Sequence, residues 1–219
     1  MDAATHGRAG SPHVSGPRPA HLILLGLALL VFLWSAIHPH DYFTWALETF
    51  PAMIGVPLLI GLYPRFRFTS LVYTLVLLHA CILMVGGHYT YAEVPLFDWL
   101  RDDHLGLVRN DFDRLGHFAQ GFVPAMIARE VLLRRSPLKR GGWLIFTVMS
   151  FCMALSSCYE LLEWGVAEAS GTQADAFLAT QGDVWDTQWD MLTAGIGASL
   201  SLLCMSRWQD RELREMAQG

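Results

Sequence analysis

Apolar and polar residues fall in long alternating blocks along this chain. Each apolar block is close to the roughly 20 residues that an α-helix needs to cross about 30 Å of hydrocarbon. Short polar links, several of them charged, separate the blocks. The apolar blocks are residues 20–37, 44–62, 69–87, 114–133, 142–165 and 187–206. This pattern predicts an all-α polytopic membrane protein in which six transmembrane helices form one membrane domain, residues 20–206.

The composition fits this architecture and leaves little of the chain for a soluble domain. Of the 219 residues, 53% are hydrophobic and 16% are charged, whereas a soluble domain carries about 25% charged residues. Residues 1–19 are rich in Gly, Pro, Ser and Ala, so we expect a disordered tail there. Residues 207–219 form a second tail. The net charge of −5 and the lack of a basic, aromatic-interleaved patch argue against nucleic acid as a partner.

Lys and Arg residues are concentrated on alternate links, which predicts the orientation of the helices. The two tails and the links 63–68 and 134–140 together hold eleven Lys and Arg residues. The opposite links hold only Arg101 and Arg109, and the link 166–186 has neither Lys nor Arg. Because basic links stay on the cytoplasmic side of an inner membrane, we expect six helices with both termini in the cytoplasm.

Polar side chains collect at the four helix ends that this orientation places on the outer side of the membrane. Within each end they recur at a spacing of three or four, so they share one face of a helix. Carboxylates at membrane depth need partners, protonation or water, and they usually serve a site. The set comprises His88 and Tyr91 near the end of the third block, Asp113, His117 and Gln120 at the start of the fourth, Glu160 and Glu163 near the end of the fifth, and Asp183, Asp186 and Asp190 at the start of the sixth.

Imidazole combined with several carboxylates is typical of two kinds of site. It can bind a hard or borderline divalent metal ion such as zinc, manganese, magnesium or calcium. It can also perform general acid–base catalysis, because only some members of a carboxylate cluster stay ionised. We predict His117, Glu160 and Asp190 as catalytic residues, with Asp113 orienting His117. The predicted metal ligands are His117, Glu160, Asp186 and Asp190, and the predicted substrate-binding residues are His88, Tyr91, Gln120, Glu163 and Asp183.

Structural explanations exist for the same residues. Asp113, Asp183 and Asp186 are placed to cap helices or to interact with a helix dipole. Glu160 and Glu163 could pair with Arg114. The chain also lacks a zinc signature such as His-Glu-x-x-His. Each residue taken alone is about as well explained by structure as by chemistry, and only their grouping on one side of the membrane favours a site.

Four further positions carry separate predictions. Glu48, Pro51 and Pro57 make the second block irregular, and irregular helices can line transport sites. Glu48 nevertheless lies near the outer boundary of this block, where we expect it to face water. His79 lies in the middle of the third block, and we expect it to be packed and hydrogen-bonded. Residues 96–109 alternate apolar and charged, which fits either a short helix on the outer surface or a plain loop. The small residues at positions 194–198 favour close helix packing.

Three stretches carry distinctive motifs: residues 86–95 (GGHYTYAEVP), residues 111–130 (DFDRLGHFAQG, later ARE) and residues 182–190 (GDVWDTQWD). Together they resemble the YjdF family of bacterial inner-membrane proteins. The resemblance covers roughly residues 20–206 and implies a multi-pass inner-membrane protein, but it implies no activity. The order of Asp-x-x-x-His, a late Glu and a final Asp is also loosely similar to VanZ-like envelope proteins, which are associated with glycopeptide resistance. Here Glu160 and Glu163 replace the Glu-x-x-x-Gln arrangement of that group.

Three functional hypotheses follow. The first is an envelope enzyme whose outward-facing pocket takes a lipid-linked or amphiphilic substrate from the outer leaflet of the bilayer. The second is a proton- or cation-coupled transporter or transport accessory, although the two halves of the chain show no internal repeat. The third is a structural membrane scaffold whose carboxylates pair with Arg101, Arg109 and Arg114. The sequence leaves the substrate, the metal and the oligomeric state open.

Overall fold

The computed structural model describes residues 16–105, 109–170 and 180–218. The regular structure in these parts of the chain is helical. Six long helices coincide with the six predicted apolar blocks, and a short helix begins the segment for which the sequence allowed either a surface helix or a loop. The elements are α1 (Pro19–Ser35), α2 (Tyr42–Leu62), α3 (Ser70–Tyr89), α4 (Pro95–Trp99), a π-helical turn (Leu100–Leu105), α5 (Phe112–Arg135), α6 (Gly142–Ser170) and α7 (Asp186–Gln218). The predicted disordered tail lies largely outside the described residues.

Length and composition qualify three of these helices as membrane spans. α2, α3 and α6 are each long and apolar enough to cross a bilayer, and α1 is a shorter apolar helix. The chain is therefore a membrane protein with several apolar helices. α7 has 33 residues, so it is about 50 Å long at 1.5 Å per residue. It exceeds the hydrocarbon core of a bilayer and continues through most of the predicted tail at residues 207–219.

The two ends of the bundle differ in charge. At one end Thr69, which precedes α3, contacts Glu130 near the end of α5. We call this the basic end, because the Arg-rich links meet there. At the other end His117, near the start of α5, approaches Glu160, near the end of α6. We call this the acidic end; it contains the ends of α3 and α6 and the starts of α5 and α7.

Buried charged groups join the helices at the basic end. The carboxylate of Glu130, which is 0% exposed, accepts hydrogen bonds from the backbone N–H of Thr69 at 3.0 Å and from its hydroxyl at 2.7 Å. Asp210 of α7 accepts hydrogen bonds from Arg129 at 2.8 Å and from Arg140 at 2.9 Å. Burial raises the pKa of Asp210, but the hydrogen bonds from the two arginines outweigh burial and hold the pKa below its ordinary value.

The starts and ends of helices follow local chemistry. The side chain of Asp41 caps α2 by accepting a hydrogen bond from the backbone N–H of Thr44 at 2.7 Å. This hydrogen bond lowers the pKa of Asp41. α3 ends because Thr90 and Tyr91 both adopt the left-handed region, each with φ of 55°. The turn carries the ring of Tyr91 back against Gly86, at a place where a β-carbon would overlap the ring.

α5 and α7 form the most extensive helix–helix contact, and two glycines permit it. A β-carbon on Gly121 of α5 would overlap the backbone carbonyl of Ala194, and one on Gly197 of α7 would overlap the backbone carbonyl of Phe118. Small residues let helix backbones approach closely in a membrane. The prediction that residues 194–198 pack closely against another helix is confirmed.

The apolar core lies towards the basic end, between α3, α5, α6 and α7, and it includes Val72, Met126, Val148 and Ala198. α3 also contacts α1 and α2. α2 packs mainly against α3, so a gap is left between α2 and the pair formed by α5 and α6. This gap becomes the cavity described below.

Candidate functional site

His117 lies near the start of α5, and its side chain is 5% exposed. Its Nε2 atom is 3.5 Å from the Oδ1 atom of Asp113. Its Nδ1 atom is 3.5 Å from the Oε1 atom of Glu160 and 3.2 Å from the Oε1 atom of Gln120. Since Asp113 and Gln120 are one turn away on either side of His117, α5 itself fixes the ring on both edges, and α6 adds the second carboxylate.

His117 belongs to two overlapping groups of potential ligands. One ligand atom from each of Asp113, His117 and Asp190 lies within 4.8 Å of the others, and the same holds for His117, Glu160 and Glu163. The structure thus brings together the three predicted catalytic residues around one imidazole. Gln120 and Glu163, predicted to bind substrate, lie beside them. We call these six residues the His117 cluster: Asp113, His117, Gln120, Glu160, Glu163 and Asp190.

Two carboxylate oxygens of the cluster are buried without a hydrogen-bond partner among the described residues. They are Oε1 of Glu160 and Oδ1 of Asp190. Glu160 is 7% exposed and Asp190 is 2% exposed. A buried polar atom without a partner costs about 1–3 kcal/mol, and more if it is charged. A proton, a water molecule or a cation between α5, α6 and α7 would each satisfy these oxygens.

Two other carboxylates near the start of α7, those of Asp183 and Asp186, are held by arginines. Arg114 donates a hydrogen bond to the Oδ2 atom of Asp183 at 2.8 Å. Arg109 donates a short hydrogen bond to Asp186 and also lies 3.6 Å from Asp113. Burial lowers the pKa of Arg109, but the hydrogen bond to Asp186 and the nearby carboxylates outweigh burial, so the pKa is raised. Arg109 therefore stays charged beside the cluster.

The predicted metal-ligand set changes as a result. Asp186 pairs with Arg109 and belongs to neither ligand group, whereas Asp113, predicted only to orient His117, does belong to one. For Asp183 and Asp186 the salt-bridge explanation fits the geometry. Asp190, one turn further into α7, faces the imidazole instead.

Two of the predicted substrate-binding residues, His88 and Tyr91, lie outside the His117 cluster. The Nδ1 atom of His88 is 3.0 Å from the backbone oxygen of Ser35, and its ring stacks on Trp34 at a centroid distance of 4.6 Å. His88 therefore packs against α1 and is not part of the cluster. Tyr91 is buried next to the cluster, because its ring lies between Gly86 and Gly116.

The burial of Glu48 was not predicted from the sequence. We expected it to face water, but it is 4% exposed, so that expectation is wrong. The hydroxyl of Tyr159 donates a hydrogen bond to its Oε2 atom at 3.4 Å, and the β-carbon of Glu48 lies against Gly87 of α3. A signal was available: Glu48 is the one acidic residue within the second apolar block.

A cavity of about 440 Å³ extends from the His117 cluster into the bundle. Its polar wall lies at the acidic end, and the rest of its described lining is apolar except for His79. The polar wall is formed by Glu48, Tyr91, Asp113, His117, Gln120, Tyr159 and Glu163. His79, expected to be a packed residue, lines the cavity between the polar wall and the apolar part.

The fold and the cavity define a polytopic α-helical membrane protein with a polar site at one end of its bundle. Residues 20–211 match the family described as "Predicted membrane protein (DUF2238)", and the chain belongs to this family. It is 46% identical over 185 residues to the "Inner membrane protein YjdF" of Escherichia coli (strain K12), which covers 84% of this chain and 88% of that protein. The YjdF resemblance is confirmed, as is the location in the inner membrane. No solved structure matches the chain.

Proposed function

We propose that this protein is an enzyme of the inner membrane whose polar site lies on the outer side and whose cavity takes a lipid-linked or amphiphilic substrate. In this proposal all six long helices cross the membrane and both termini are cytoplasmic. The positive-inside rule supports this orientation, because the basic end carries most of the Lys and Arg residues outside the helix interiors. The His117 cluster then lies at the outer boundary of the bilayer.

The observation that carries the proposal is the two-part lining of the cavity. Its polar wall contains an imidazole and three carboxylates, and its remaining wall offers only apolar surface apart from His79 among the described lining residues. Such a cavity is complementary to a molecule with a polar head and a hydrocarbon body. It provides polar groups at one end, as ligand sites commonly do.

His117 transfers protons between carboxylates in this mechanism, because its Nε2 atom faces Asp113 and its Nδ1 atom faces Glu160, each 3.5 Å away. Asp113, which lines the cavity, takes the proton of a water or of a substrate hydroxyl as that oxygen bonds to the substrate head group. Glu163, also in the polar wall, gives a proton to the leaving group as its bond to the head group breaks. The imidazolium of His117 then passes a proton back through the cluster, where Glu160 and Asp190 stabilise its charge.

A metal-dependent version uses the same residues. Asp113, His117 and Asp190 would hold a divalent cation, with Glu160 close by, and the cation would polarise the substrate head group. Metal analysis of the purified protein tests this version against its His117→Ala, Asp190→Ala and Asp186→Asn variants. We expect one metal ion per chain, lost from the first two variants and kept in Asp186→Asn. A metal-free wild type removes the metal version and leaves the acid–base version standing.

The transporter alternative requires a polar path from the acidic end to the basic end. Beyond His79 the described lining of the cavity is apolar as far as Leu62 and Phe68. This apolar stretch opposes an ion path and favours a substrate with a hydrocarbon part. Reconstituted protein that moves protons into vesicles under a pH gradient would reverse this preference.

The enzyme proposal is tested with an E. coli strain that lacks its YjdF protein. The strain is complemented with this chain as wild type, His117→Asn, Asp190→Asn or His40→Asn, and membrane lipids are compared by mass spectrometry. His40→Asn is the matched control, because His40 lies at the same end of the bundle in an exposed salt bridge with Glu93. We expect an amphiphile that accumulates without the protein to be cleared by the wild type and His40→Asn only.

Equal clearance by His117→Asn at an equal protein level would refute the enzyme proposal. The scaffold hypothesis predicts a different pattern. In that case the variants lower thermal stability, and any change in lipids follows protein abundance. Melting temperatures in detergent therefore accompany each lipid profile.

A further inference from the structure

The cavity is open on one side to the surface that faces lipid. Leu58 of α2, Val131 of α5 and Leu155 of α6 all line it. The same three side chains are exposed on the bundle surface, by 57%, 37% and 36%. A residue can do both only where the cavity meets the outside. The opening therefore lies between α2 on one side and α5 and α6 on the other, at the depth of the hydrocarbon.

The opening is a groove that runs along α2. Residues from Glu48 to Leu62 line it, a rise of about 20 Å at 1.5 Å per residue. This is more than half of the roughly 30 Å thickness of the hydrocarbon core. The groove begins at the His117 cluster and ends against Phe68 near the basic end. The groove and the polar wall belong to the same cavity.

We infer that this groove holds the hydrocarbon chain of a lipid, which enters sideways from the bilayer between α2 and α6. The occupant is a lipid chain because the groove opens into hydrocarbon and, among its described lining residues, the deep part offers no polar side chain. A polar ligand would lose its hydration there without compensation. The position of the head group at His117 rests on the proposed function, whereas the position of the chain does not.

Gly55 allows the groove to be filled without disturbing the fold. It lies on the groove wall, and a β-carbon built there meets nothing within 4 Å. Gly55→Phe should therefore place a ring into the groove. Gly26 of α1 also has nothing within 4 Å of a β-carbon, but it is exposed and lies outside the groove. Gly26→Phe is the matched control.

Val123 reports whether a lipid chain reaches the interior. It lines the cavity but is only 4% exposed, so a lipid that stays on the outer surface of the bundle is unable to touch it. The protein is placed in nanodiscs of phosphatidylglycerol that carries a diazirine on one acyl chain. After irradiation, mass spectrometry of peptides measures labelling at Val123.

We expect labelling at Val123 in the wild type and in Gly26→Phe, and a several-fold loss in Gly55→Phe. His117→Asn should be labelled like the wild type, because it changes the polar wall and leaves the groove intact. Labelling that is absent from Val123 in the wild type, or unchanged in Gly55→Phe, overturns the inference. A third outcome separates the two proposals. If Val123 is labelled in the wild type while His117→Asn still clears the lipid in E. coli, the enzyme proposal is refuted and the lipid-binding groove stands.

Discussion

The contact between α5 and α7 depends on Gly121, and a single methyl group there tests how close the two helices lie. In Gly121→Ala the new β-carbon would overlap the backbone carbonyl of Ala194. A backbone atom in a helix has no rotamer by which to move aside, so the helices must separate. A β-carbon on Gly197 of α7 would likewise overlap the backbone of Phe118 in α5. A substitution on either helix would therefore force α5 and α7 apart.

The expected cost is at the upper end of the range for overpacking. Extra methylene groups in a packed core cost about 1–3 kcal/mol. A gap of about 0.5–1 Å forfeits a quarter to a half of each dispersion contact along the interface. We therefore expect Gly121→Ala to lower the free energy of unfolding by about 3 kcal/mol. The gain in helix propensity from glycine to alanine, about 1 kcal/mol in soluble helices, offsets only part of the loss.

Two other glycines supply the controls. At Gly195 the nearest atom to a new β-carbon is the Sδ atom of Met153 at 3.2 Å, and a flexible thioether can shift. At Gly26 nothing lies within 4 Å. Unfolding in mixed detergent micelles, followed by tryptophan fluorescence, should rank Gly121→Ala well below Gly195→Ala and Gly26→Ala. Equal stability of all three variants would refute the close approach of α5 and α7.

Three further predictions concern the charged groups at the two ends of the bundle. Glu130→Ala leaves the N–H and hydroxyl of Thr69 without their buried acceptor, so we expect a loss of about 2–4 kcal/mol in the same unfolding assay. Asp210→Asn should destabilise at pH 7. Because the pKa of Asp210 is lowered in the folded protein, the stability difference from wild type should persist above about pH 4 and shrink as the pH falls through the folded pKa. Arg109→Leu strands the buried carboxylate of Asp186 and should cost about 3–5 kcal/mol in thermal melts.

Each of these variants has a comparison that isolates its cause. Glu130→Gln keeps an acceptor for Thr69 and should recover part of the stability that Glu130→Ala loses. A difference between Asp210→Asn and wild type that grows on acidification would contradict the lowered pKa. Arg101→Leu removes an arginine whose partner Asp102 is exposed, so it should leave the melting temperature nearly unchanged. A loss of stability equal to that of Arg109→Leu would contradict the larger contribution expected of the buried pair of Arg109 and Asp186.

The sequence predicted the six long helices well because each apolar block is itself about as long as a membrane-spanning helix. Block lengths, the small residues at 194–198 and the grouping of polar residues at one end are all local patterns. The grouping around His117 was also predictable, since spacing on each helix places the polar residues on one face. Because consecutive long helices run antiparallel, the helix ends that carry these polar faces lie at the same end of the bundle.

The partners of individual carboxylates were not predictable in the same way. Asp186 and Asp190 are equivalent by spacing, yet Asp186 pairs with Arg109 and Asp190 faces His117. The difference depends on how the segment before α5 lies against α7, which no periodicity specifies. Glu48 was misjudged for a related reason: the residue that hydrogen-bonds its carboxylate, Tyr159, comes 111 residues later in the chain.

That long separation has a consequence for the synthesis of the protein. At about 5–20 residues per second, on the order of 6–20 s pass between the addition of Glu48 and that of Tyr159. During this interval α2 has left the ribosome while α6 does not yet exist. Until α6 is made, the carboxylate of Glu48 lacks the hydrogen bond from Tyr159, and water or a factor of the insertion machinery has to take its place. Chains that stop before α6 should therefore hold α2 less firmly and be better targets for membrane proteases.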